Sequence, residues 1–170
     1  MAKRLSSQKR RVCYVNPDPK TLDADLAFFE KRLKLLGQLE LATVPSIESP
    51  NFLPCDLLVL NASHIPTEAF PKWLLGLSHK ILRQKNIPVP ALIFAPLDFS
   101  RLNEMAEAAY QMNWYFDIIH PQHMESLPIR VANLLRIHDH LHELQRYEDE
   151  VKTLQKKVED IEHRLQGLKP

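Results

Sequence analysis

The segment His138-Asp139-His140-Leu141-His142 places two imidazoles, His138 and His142, four residues apart on one face of any helix that carries them, a spacing that can grip zinc. Two ligands do not complete a tetrahedral site, and no cysteine lies near. A solvated helix face or a local contact between copies is therefore the expected use, with no metal and no cofactor. A second set is scattered along the chain: Asp18, Ser63, His64, Asp98 and His120 could converge as nucleophile, base and orienting carboxylate. No G-x-S-x-G elbow accompanies them, and with only 3 glycines, Gly37, Gly76 and Gly167, the chain has no loop to cradle a phosphate. Polar residues at strand ends are the default on an α/β sheet, so the chain is expected not to be an enzyme. The 2 cysteines, Cys13 and Cys55, each sit beside an apolar run as buried thiols do. That usage fits a reducing cytoplasm rather than a disulfide framework.

The elements that must position these residues are short apolar runs alternating with helical patterns, the mark of an α/β sheet with parallel strands. Strands are expected at 11–15, 39–44, 56–60, 91–94 and 115–119. The run Asp56-Leu57-Leu58-Val59-Leu60 is continuous enough to lie at the centre, covered on both faces. Leu22, Leu26, Phe29, Leu33 and Leu36 form one helical face ending at Gly37. Prolines 45, 50 and 54 make the next crossover short, bent or mostly loop. A helix is expected over 67–83 with Pro71 in its first turn, and another carries Leu102, Met105, Ala106, Ala109 and Met112 behind a Ser100 cap. From Met124 the pattern is helical to Gly167, with Pro128 in the first turn.

The chain has 170 residues, 45% hydrophobic and 25% charged, which suits one domain with an appendage. Its 22 basic and 21 acidic residues leave a net charge of +1, so no global field draws in nucleic acid or a membrane surface, and neither is expected as a partner. Residues 1–10 read as a basic flexible arm. No apolar region follows them as in a signal peptide, and no stretch approaches the roughly 20 apolar residues of a membrane helix.

The five strand positions, with Arg11-Val12-Cys13-Tyr14-Val15-Asn16-Pro17-Asp18-Pro19, Asp56-Leu57-Leu58-Val59-Leu60-Asn61 and Ile118-Ile119-His120-Pro121, resemble the receiver domain of two-component response regulators over roughly residues 10 to 140. The resemblance implies a flavodoxin-like doubly wound five-stranded parallel sheet. It also locates what is missing. The phosphoacceptor aspartate position reads Asn61, and the acidic pair reads Asn16-Pro17 with Asp18 the only carboxylate nearby. The hydroxyl position reads Ala95, the lysine position His120, and the aromatic switch position Asp117. A neutral amide forms no acyl phosphate, and magnesium needs oxygen ligands that these residues scarcely supply. The chain looks like a pseudo-receiver, a degenerate receiver that keeps the fold without the switch chemistry.

Beyond His142 a heptad repeat sets in. Leu144, Tyr147, Val151, Leu154, Val158, Ile161, Leu165 and Leu168 fill every a and d position, and the residues between them are polar. So narrow a stripe suits a partner helix better than a broad domain face. Valine at two successive a positions with Leu154 at d favours two parallel strands. Lys157 opposite Glu162 supports that orientation, while Glu143 opposite Glu148 opposes it. The expected layout is therefore the arm, a pseudo-receiver over 11–142 and a homodimeric coiled coil over 143–170, continuous with the last domain helix. Its expected function is phosphorylation-independent regulation, dimerisation and protein interaction in bacterial signalling, as the N-terminal part of a longer protein with an output domain. The alternative is a small-molecule or metal sensor using the strand-end crevice or the His138/His142 pair.

Overall fold

A strand covered on both faces needs no alternation of apolar and polar residues, and Leu57, Leu58, Val59 and Leu60 are all buried in the middle of a five-stranded sheet. The chain, seen in a computed structural model, is described over residues 9–16, 22–33, 39–47, 54–84, 89–95 and 114–166. Strands β1 (Arg10–Val15), β2 (Leu39–Val44), β3 (Leu57–Asn61), β4 (Ala91–Phe94) and β5 (Phe116–Ile119) lie in the order β2-β1-β3-β4-β5, and every neighbouring pair is parallel. Helices α1 (Leu22–Leu33) and α2 (Phe70–Gln84), a 3-10 helix (Pro121–Ser126) and the 40-residue α3 (Leu127–Gln166) complete the described elements. This is the flavodoxin-like doubly wound order, with its switch point between β1 and β3.

The two-residue period of the strands sorts the core into two clusters. Cys13, Val15, Leu58, Leu60, Ala91 and Ile93 pack with Phe70, Leu74, Leu77 and Ile81 of α2. Val12, Tyr14, Leu57, Val59, Leu92 and Phe94 pack with Phe29 and Leu33 of α1 and with Leu127, Val131, Leu134 and Leu135 of α3. Phe29 sets its ring 5.3 Å from Tyr14 and 4.9 Å from Phe94, the second contact edge-on. Trp114 closes the other cluster by donating its indole N–H to Val89 O at 2.7 Å.

Helix starts differ from expectation where proline and local turns decide them. α2 begins at Phe70 rather than Thr67, because Ala69 and Phe70 donate to Pro66 O (3.0 Å) and Thr67 O (3.4 Å) in tight turns first. Pro71 is then its second residue, where a missing N–H costs nothing. α3 begins at Leu127 rather than Met124, since His123 (φ −111°, ψ 34°) breaks the helical run. β5 starts one residue late, leaving Tyr115 exposed. The described parts of the β2–β3 crossover, 45–47 and 54–56, contain no helix. The Gly37 cap and the helix expected behind Ser100 lie outside the described residues, as does most of the arm. The chain separates into two units, Met1–His138 and Asp139–Pro170. No described helix is long and apolar enough to cross a membrane.

Candidate functional site

The carboxyl ends of the strands are where a doubly wound sheet presents chemistry, and four positions singled out in the sequence stand there. Asn16 follows β1; it is 4% exposed and donates its backbone N–H to Val44 O at 3.2 Å. Asn61 ends β3, and its side-chain Oδ1 accepts the N–H of Ser63 at 3.0 Å, a local turn that an asparagine amide makes readily. Ala95 follows β4, fully packed in the core, and extends the ladder by donating to Ile119 O at 3.2 Å. His120 follows β5 and caps the 3-10 helix, its Nδ1 accepting from the Gln122 N–H at 3.1 Å. No one of these four side chains is a carboxylate, and two of them are engaged with their own backbone. Ser63 and His64 are exposed beside Asn61. Pro17, Asp18 and Asp98 lie outside the described residues, so the aspartates of the serine-histidine-aspartate constellation are not among the groups that can be placed.

Asp117 is held by an arginine that sequence reading passed over. Arg130 Nη1 donates to both Asp117 oxygens, at 2.6 and 2.7 Å, while its Nε donates to Ser126 Oγ at 2.9 Å. The same carboxylate accepts the Ile118 N–H at 2.8 Å. β5 is thereby fastened to the start of α3. Thirteen residues separate the pair, so no helical or strand spacing could have announced it.

The histidine pair is not a solvated face, which corrects the expectation for His138. That residue is 4% exposed, with Nδ1 3.8 Å from Asp56 Oδ1. Asp56 also accepts the Arg11 N–H at 2.8 Å and lies 3.9 Å from Arg10, binding β3 to β1 at the amino-terminal edge of the sheet. The apolar face of α3 continues through Val131, Leu134 and Leu135 to His138, and that continuity draws the imidazole inward while His142 stays exposed. Among the described residues, no group of three histidine, cysteine, aspartate or glutamate side chains could hold a metal.

In the second unit the heptad positions form an exposed stripe. Leu144, Tyr147, Val151, Leu154, Val158, Ile161 and Leu165 are each between 52% and 60% exposed. Leu168 lies outside the described residues. Within this helix Arg146 lies 3.6 Å from Glu150, and Thr153 Oγ1 donates to Asp149 O at 2.8 Å.

No family model matches the chain, and no curated protein is detectably similar to it. Among solved structures, a response regulator CheY-like protein from Mesorhizobium loti superposes with a TM-score of 0.46 at 17% identity, covering 77% of this chain and 99% of that one. The strand order and the all-parallel pairing are by themselves those of a flavodoxin-like sheet.

Proposed function

We propose that the chain is a phosphorylation-independent regulatory module of bacterial signal transduction, a pseudo-receiver that dimerises through a parallel coiled coil over 143–170 and passes a signal to a protein partner or a fused output domain. It is not an enzyme, and it acts in the cytoplasm, where its two buried thiols, Cys13 and Cys55, stay reduced. The observation that carries this reading is the half-exposed apolar stripe from Leu144 to Leu165. Fully burying one such side chain is worth roughly 1.5–3 kcal/mol. Completing the burial on two helices recovers roughly 10–20 kcal/mol, against an association cost of about 4–15 kcal/mol, which favours a pair. The strand-end residues support the other half of the reading: an amide, a methyl group and a capping imidazole occupy the places where phosphotransfer needs a carboxylate nucleophile, a hydroxyl and a lysine.

Sedimentation or light scattering of the intact chain tests it. The wild type should be a dimer, and the double variant Leu154→Glu/Ile161→Glu a monomer with its sheet domain intact, because two glutamates facing each other in the seam leave charge buried and unpaired. A wild-type monomer, or a double variant that remains dimeric, overturns the coiled-coil reading.

A further inference from the structure

We propose that the groove between α2 and the carboxyl ends of β1 and β3 is a binding site for a small amphipathic anion, an aromatic or aliphatic body bearing one carboxylate, sulfonate or phosphate. The groove encloses about 560 Å³ and lies at the switch point of the sheet. That volume falls within the range of sites that enclose a small organic molecule. Beside α2 the groove is lined by Pro45, Ser46 and Ile47, which follow β2. It is a trough with an apolar floor of Val15, Leu60 and Leu77.

Two features select the ligand. The first is Gly76, on the wall of the groove and in the interior of α2, where glycine is the least favourable residue apart from proline. A Cβ built there meets nothing within 4 Å, so no described neighbour requires the missing side chain. Its absence leaves a flat wall beside the Trp73 indole, against which a planar or chain-like body can lie. The second is charge. Lys72 and Lys80, both exposed, stand two helical turns apart on the groove's edge; Lys80 already engages another group, so the rim's charge toward a ligand rests first on Lys72, and among the described residues none that lines the groove is acidic. An apolar floor under a cationic rim attracts an amphipathic anion, while an amphipathic cation meets like charge. Neither feature belongs to the dimer seam, so this site stands or falls apart from the oligomeric state.

Fluorescence titration of the full chain with 8-anilinonaphthalene-1-sulfonate, beside its uncharged counterpart N-phenyl-1-naphthylamine, tests the site. The sulfonate should bind saturably with one site per chain and more tightly than the neutral compound. Lys72→Ala and Lys80→Ala should each weaken the sulfonate by up to about fivefold, the upper worth of an exposed ion pair, and leave the neutral compound unchanged. Gly76→Leu should abolish binding of both while the thermal midpoint holds or rises. If that variant does not fold, the surface pair Lys72→Glu/Lys80→Glu carries the test, with loss of sulfonate binding expected. Equal affinity for the two compounds, undiminished binding in Gly76→Leu, or lysine variants that bind like wild type would each overturn the proposal. Leu154→Glu/Ile161→Glu should bind the sulfonate as the wild type does; a loss there would place the probe on the seam and overturn the site.

Discussion

At the scale of single residues, the side chains at the strand ends serve local backbone geometry. Asn61 closes a turn onto Ser63, and His120 caps the 3-10 helix through Nδ1. Beryllofluoride or acetyl phosphate with magnesium is therefore expected neither to stabilise nor to modify the protein, as melting curves and intact mass will show. Asn61→Asp alone should not restore modification, because Ala95 supplies no hydroxyl and His120 no lysine ammonium to the phosphoryl oxygens. The Asp117–Arg130 pair is a different case. Its geometry is close, but the two side chains are 35% and 34% exposed, so solvent screens it. Asp117→Ala should cost no more than about 1 kcal/mol in a urea titration. Asp56→Ala should cost more, about 1–3 kcal/mol, because it strips the Arg11 N–H of its acceptor in a partly buried place beside His138.

At the scale of elements, α1 and α2 make opposite predictions. Phe29 is 2% exposed and bridges α1 to the rings of Tyr14 and Phe94 across one face of the sheet. Phe29→Ala should cost about 3–5 kcal/mol, since the aromatic cluster cannot collapse into the vacated space without moving β1 or β4. Gly76→Ala should instead stabilise the protein by about 0.5–1 kcal/mol, because α2 gains a better helix former and the new methyl group meets no neighbour. Chemical denaturation midpoints at constant slope decide both.

At the scale of the whole molecule, every described residue that counts as buried lies at or before His138. The sheet and the described helices packed on it thus carry both core clusters without help from the heptads. A chain ended after His142 should keep a cooperative thermal transition and its two-faced sheet, and sediment as a monomer. The residues beyond it have the reverse character. An isolated helix of that length with no buried face is marginal in water, so helical circular dichroism from 143–166 should rise with protein concentration in the intact chain and fall in Leu154→Glu/Ile161→Glu.

The sequence by itself determined what depends on period and on local sterics. A continuous apolar run marked β3 as central, and one-face spacing marked Phe29 and Leu33 as α1's buried side. The heptads from Leu144 could be read the same way, because a seam is defined by spacing along one helix. Only the tertiary structure decided which distant groups meet. His138 turned inward toward Asp56 rather than outward with His142, and Arg130 found Asp117, across separations of 82 and 13 residues that no local pattern encodes. A crevice at the strand ends was expected from the fold class, but the shape and lining of the groove beside α2 were not legible, for the same reason. Its floor, wall and rim come from β1, β3, α2 and the β2–β3 crossover, and a concavity exists only once parallel pairing has brought those segments side by side.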